Sequence, residues 1–125
     1  MKVSLWCLFY VGFLPIFCAG ISKSKADYDN RNPRAWLAAQ QGFRSRANSA
    51  QQNSWEAFLW FAVAILVSQS MNAIDNTTVE FLALAFVILR TSYIAAYVFN
   101  FAILRTIFWS AAFLANISIF VMAIV

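Results

Sequence analysis

The chain has no histidine, few charges and little conformational punctuation: three glycines, two prolines and two cysteines among 125 residues. Without histidine there is no His-ligated zinc and no Ser-His or Cys-His nucleophile. Charged residues make up 11% of the chain, against about 25% in an average soluble domain. Hydrophobic residues make up 62%. A small globule in water cannot hide that much apolar surface, and the same figures exclude disorder. The bilayer is the solvent that remains. Cys7 and Cys18 share a face of one helical run, but that separation is ~16 Å along a helix axis, beyond disulfide reach. Both read as small buried or lipid-facing hydrophobes.

What the sequence does have is hydrophobic length. Apolar runs at about 3–22, 54–74, 79–99 and 103–125 each meet or approach the ~20 residues that cross hydrocarbon. The expected fold class is an all-α integral membrane protein, one domain over residues 1–125, built as a four-helix up-down bundle. The first run follows Lys2 and contains Cys18-Ala19-Gly20, as a secretory signal would. It is longer than the ~7–15-residue core of such signals and has no clean A-x-A site. Phe17 also spoils a lipoprotein-type site, so the run reads as a retained span. Gly12 and Pro15 are tolerable within it.

Residues 22–53 form the one extended polar stretch, with Lys23, Lys25, Arg31, Arg34, Arg44 and Arg46 against Asp27 and Asp29. Asn32-Pro33 predicts a short helix over 33–41 that turns Trp36 and Leu37 toward the membrane surface, with Gly42 ending it. A second long helix is expected to start in water near Phe43 and enter the bilayer near Trp55. Residues 71–78 read as a turn, with Thr77 and Glu80 as a capping box for the next helix. Asn76-Thr77-Thr78 also fits a glycosylation sequon. Because the 72–80 connection carries only Asp75 and Glu80, the positive-inside rule puts loop 22–53 in the cytoplasm and both termini on the far side, with Lys2 dissenting. The expected location is a bacterial inner membrane.

A charge within a span costs about 2.5–3.5 kcal/mol on insertion scales, so each one is a functional candidate. There are three: Glu56, Arg90 and Arg105. The topology puts them in one layer with Arg44, Arg46, Gln52, Asn53, Tyr93 and Tyr97. Arg90, Tyr93 and Tyr97 form a single helical stripe that Asn100 extends, and Trp109 lies one turn below Arg105. Such a layer suits a small polyanion with one cationic group, whose apolar co-substrate arrives through the bilayer. Arginine forks clamp carboxylates, Glu56 takes an ammonium, and a tyrosine or arginine steadies a thiolate. Blander readings stand beside these. Glu56 and Arg90 could form a structural ion pair, and Arg44 and Arg46 could serve only as topology signals. The tyrosines with Trp55, Trp60 and Trp109 could be an aromatic belt.

The run Arg46-Ala47-Asn48-Ser49-Ala50-Gln51-Gln52-Asn53-Ser54-Trp55-Glu56 resembles the helix-two signature of the MAPEG superfamily, the membrane-associated proteins in eicosanoid and glutathione metabolism. In that signature an Arg precedes Ala-x-x-Asn-x-x-Glu, matched by Arg46, Ala50, Asn53 and Glu56. Arg90-x-x-Tyr93-x-x-x-Tyr97, then Leu104-Arg105 and Trp109, is similar to the family's helix-three to helix-four region. The resemblance spans essentially the whole chain. It implies a homotrimer with glutathione as co-substrate, bound between neighbouring subunits at the cytoplasmic side, and it implies no metal. By the same resemblance Arg46, Gln51, Asn53, Glu56, Arg90 and Tyr97 are glutathione-binding candidates. Tyr93 and Arg105 are the catalytic candidates, Arg105 as thiolate stabiliser. The implied activity is a glutathione-dependent transferase or peroxidase acting on lipophilic electrophiles or lipid hydroperoxides. Ser49 stands where several eukaryotic members carry an arginine, which favours the alternative of a non-catalytic accessory subunit in a larger membrane complex. A small transporter ranks last, because the first span has no carboxylate. Expected partners are lipid, further copies of the chain and that larger complex, with no nucleic acid.

Overall fold

The structure, a computed structural model, describes residues 2–71 and 76–125, the side chain of Asn76 excepted. Every regular element among the described residues is a helix: α1 (Val3–Ser22), α2 (Pro33–Ala38), α3 (Phe43–Met71), α4 (Asn76–Val98) and α5 (Ala102–Ile124). All but α2 are long and apolar enough to cross a membrane. In hydrocarbon no water can satisfy a peptide group, so a span must bond its backbone internally, and an uncharged run therefore becomes a helix.

Helix α1 packs most extensively on α3, and α4 on α5; α3 also touches α4 and α5, and α1 touches α4. Lipid tails compete equally well for apolar surface, so close packing between spans needs small residues at the contact. The buried face of α3 has them in Ala47, Ala50, Ser54, Ala64 and Ser68, and α5 buries Ala112, Ala115 and Ala123. At the bundle centre the rings of Phe61 and Phe86 stack face to face, 4.2 Å apart. The outside is apolar too, with Leu59, Phe81 and Ile103 all more than 60% exposed on the outer surface.

Three local expectations need correction. Helix α2 stops at Ala38 rather than near residue 41, because Ala39 and Gln40 turn back onto the carbonyls of Trp36 and Leu37. Gly42, at φ +69°, then starts the chain into α3, a conformation that is free of strain only for glycine. Leu37 is buried as expected, while Trp36 sets its ring edge-on against Tyr28 at 5.1 Å. Helix α4 begins at Asn76, so Thr77 lies inside its first turn rather than capping it. The rest of that connection, residues 72–75 with Asp75, lies outside the described residues.

The link from α4 to α5 is as tight as the sequence suggests. Phe101 N–H donates to the Ala96 carbonyl (2.8 Å) and Asn100 N–H to that of Tyr97 (3.1 Å), the paired bonds of a Schellman motif. Asn100 occupies its left-handed position at φ +65°, which asparagine tolerates and β-branched residues do not. Replacing Asn100 with Gly should leave thermal stability in detergent unchanged or slightly raised. Asn100→Val should cost about 1–2 kcal/mol. Equal melting of the two variants by circular dichroism would contradict this role for the turn.

Candidate functional site

Polar side chains tie one end of the bundle together. Arg44 Nη2 donates to the Ser24 carbonyl just past α1 (2.9 Å). Arg46 places Nε (3.1 Å) and Nη2 (3.0 Å) on one acceptor, the Val98 carbonyl that ends α4. The last turn of a helix leaves carbonyls with no intrahelical donor, and a charged fork is a strong substitute. This basic end therefore holds the close of α1, the start of α3 and the close of α4 at one level.

Next to it two tyrosine rings are held in series between two guanidinium groups. Arg90 is 2% exposed. Its Nη2 donates to Ser54 Oγ on α3 (3.3 Å), and its guanidinium carbon lies 4.1 Å from the Tyr93 ring centroid. Tyr93, also buried, meets Tyr97 edge-on at 5.7 Å. Arg105, at the start of α5, covers the Tyr97 ring at 4.5 Å. The stripe spacing on α4 produces this order, since residues three and four apart are neighbours on a helix face. Tyr93, Tyr97, Arg105, Thr106 and Trp109 then line an open cavity of about 290 Å³ between α4 and α5. Its floor is braced by Trp109 stacked on Phe113 (5.2 Å), which Trp60 of α3 meets edge-on at 6.1 Å. Trp109 thus lines the cavity while remaining 40% exposed, close to Trp55 at 43%, and Trp60 is more exposed still.

The α3 candidates share a depth but divide between two flanks. Arg46, Asn53 and Trp60 recur every seventh residue and so fall on one line. Arg46 on Val98 and Trp60 on Phe113 fix that line toward α4 and α5. Asn53 therefore lies on the cavity side, its Oδ1 buried without a partner among the described residues. Glu56, one turn on, is exposed beside it, as is Gln52. Gln51 belongs to the other flank, with Trp55 and Phe58, whose ring contacts Gly12 of α1. Its Oε1 is likewise buried and unpartnered. Two residues along a helix are 200° around it, so Gln51 and Asn53 cannot face one pocket of a single chain.

The ion pair considered between Glu56 and Arg90 does not form. Among the described residues the one ion pair is Lys25 with Asp27 at 3.6 Å. Arg90 instead relies on Ser54 and the Tyr93 ring, and its Nε has no partner. Asn100, expected to extend the stripe, is spent on the turn. Both cysteines are buried and free, as their spacing required.

The MAPEG family model matches residues 3–125. The chain belongs to the MAPEG family. No curated protein and no solved structure matches it. The family includes glutathione-dependent enzymes and non-catalytic members. With its four apolar helices, this MAPEG chain is an integral membrane protein.

Some polar groups in this MAPEG chain were not anticipated from sequence. At the far end Lys2 Nζ donates to Gln69 Oε1, Gln69 Nε2 to Ser4 Oγ (3.4 Å), and Val3 N–H to Glu80 Oε1 (3.2 Å). Glu80 thus satisfies an orphan donor at the start of α1. Asn116 is 2% exposed in the core of α5, its Oδ1 unpartnered among the described residues; the only sequence signal for it was one amide in an uncharged run.

Arg46 and Arg105 should differ in what they stabilise. Arg46→Leu removes two charged hydrogen bonds from a helix end and should cost about 1–3 kcal/mol. Arg105→Gln loses one half-exposed ring contact and should cost less than about 1 kcal/mol. Detergent melting curves check this, and equal shifts would contradict the assignment.

Proposed function

We propose that this MAPEG protein is a glutathione-dependent transferase or peroxidase acting on lipophilic electrophiles or lipid hydroperoxides, with Arg105 and Tyr93 at the thiol. The observation that carries this reading is the cavity walled by Tyr93, Tyr97 and Arg105. Arg105 has no carboxylate partner among the described residues, so its charge is available to an incoming anion. Such a preset cation stabilises charge that would otherwise need water to reorganise. Arg90, buried behind Tyr93, adds a second positive charge in a medium where electrostatic effects are strong.

In conjugation the glutathione thiol loses its proton to solvent and the thiolate sits against Arg105. Its sulfur attacks the electrophilic carbon, forming the C–S bond as the leaving anion departs. With a lipid hydroperoxide, two glutathiones supply the two electrons, giving glutathione disulfide, the alcohol and water. The Tyr93 hydroxyl donates to the developing anion.

At about 290 Å³, the cavity is at the bottom of the ~300–1,000 Å³ range of small-molecule sites. It accommodates the thiol end of a tripeptide and not the whole. The remaining binding groups, Glu56 for the ammonium with Asn53 and Gln51 as amide contacts, lie on two flanks of α3. A homotrimer resolves this: each α3 offers one flank to its own cavity and the other to a neighbour's. Lipid exposure of Glu56 is costly, and a second chain covering it removes that cost. Loop 22–53 is placed in the cytoplasm, where glutathione is plentiful, and the protein in a bacterial inner membrane.

A second reading, an accessory subunit without activity, is favoured by one specific observation. The Arg46 guanidinium, a glutathione-binding candidate, already gives its Nε and Nη2 to the Val98 carbonyl, and Ser49 supplies no cation in its place. The discriminating experiment uses detergent-purified protein. Calorimetric titration should detect glutathione binding, and absorbance should follow conjugation of an aryl halide. Arg105→Gln should lower kcat by about 10²-fold, as for loss of a principal anion-stabilising donor, with melting little changed. No glutathione binding and no turnover of halide or hydroperoxide, with stoichiometric co-purification of larger partners, would establish the second reading instead.

A further inference from the structure

On the opposite side of α4 from the cavity beside Arg105, a larger groove of about 630 Å³ separates α1 from α4. Tyr10, Phe13 and Phe17 wall it on α1, with Ile94, Ala95 and Phe99 on α4. It exists because Ala95 offers no bulk where the aromatic α1 stripe passes. One end is bridged by a hydrogen bond between exposed side chains. Thr91 Oγ1 donates to the Val87 carbonyl (2.8 Å), so the Tyr10 hydroxyl must donate to Thr91 Oγ1 (3.1 Å). Its other end reaches Ile21 and Val98 at the basic end.

Two properties of the groove identify an occupant. From Tyr10 to Ile21 it runs eleven residues, ~16 Å of helix, which matches one leaflet of a hydrocarbon core ~30 Å thick. Cations are tied to its rim: Arg46 is bound to the carbonyl of Val98, itself a lining residue, and Arg44 to that of Ser24. Lys23 directly precedes Ser24 in the chain, its Nζ 5.4 Å from the centroid of the Tyr28 ring. None of the three has a carboxylate partner among the described residues. A zwitterionic lipid would add its own ammonium to this cluster, whereas an anionic one neutralises it.

We propose that the groove between α1 and α4 holds one acyl chain of an anionic phospholipid from the basic-end leaflet, its phosphate against Lys23, Arg44 and Arg46. The aromatic walls and the Tyr10–Thr91 bridge make it a fixed slot, and α4 itself separates the lipid from Arg105. The site therefore stands whether or not the thiol chemistry does.

The test is competitive retention. Full-length protein is reconstituted in equimolar phosphatidylglycerol and phosphatidylcholine, re-extracted in mild detergent, and its bound lipid counted by native mass spectrometry. Wild type should keep about one phosphatidylglycerol per chain in preference to phosphatidylcholine, the stoichiometry of one slot. Ala95→Phe, and the milder Ala95→Leu if the first does not fold, should lose that lipid. Lys23→Gln with Arg44→Gln should still retain lipid but lose roughly fivefold in headgroup preference per cation removed. Equal retention of the two lipids by wild type would overturn the proposal, as would unchanged retention in a folded Ala95 variant. A change in oligomeric mass with lipid counts unchanged would also overturn it, assigning the groove to a second copy of the chain.

Discussion

The arrangement depends on how one buried guanidinium is accommodated. Arg90 lies in the bilayer-spanning part of α4 with 2% of its surface exposed and no carboxylate partner among the described residues. Apolar packing cannot orient such helices by itself, since a lipid tail replaces an apolar side chain at little cost. Directional polar contacts must do it. The Ser54 hydroxyl pins Arg90 to α3, and the Tyr93 ring takes up part of its charge. Those two contacts set the rotation of α4, and that rotation aims Tyr97 at Arg105.

The same economy appears at both ends of the bundle. Helix ends in a membrane protein carry donors and acceptors that neither water nor lipid reliably satisfies. Arg46 serves the last turn of α4, Arg44 the exit of α1, and Glu80 the first turn of α1. Each is a charged side chain used as a cap across a helix–helix gap, so each fixes relative height as well as satisfying a backbone group. With heights set at both ends, α4 presents one flank to the cavity beside Arg105 and the other to the apolar groove. A small four-helix protein thereby carries a charged recess and an apolar slot on one helix without either intruding on the other.

Much of this was legible in the chain, for identifiable reasons. Span positions follow from uncharged length, because the bilayer enforces a minimum run. The stripe of Arg90, Tyr93 and Tyr97 follows from helical spacing. Spacing could not choose a partner for Arg90. Glu56 was the one carboxylate at that level, yet its side chain points outward and a neutral serine two residues earlier points in. Nor could spacing reveal that Gln51 and Asn53 flank opposite sides of α3, since that requires knowing where α1 and α5 lie. Arg46 read equally well as a ligand or a topology signal; which carbonyl it meets depends on where α4 ends.

What the sequence alone determined was the set of elements and their heights: four spans, a basic polar loop, a turn at Asn100, and a layer of arginines and tyrosines near one membrane face. These are consequences of solvent and of local geometry, and both act on neighbouring residues. Only the tertiary structure decided azimuth, that is, which side of each helix meets which neighbour. That choice made Trp109 a cavity wall, left Glu56 on the outer surface, and opened a slot beside Ala95. It rests on contacts between residues tens of positions apart, such as Ser54 with Arg90 and Arg46 with Val98, which no local pattern encodes.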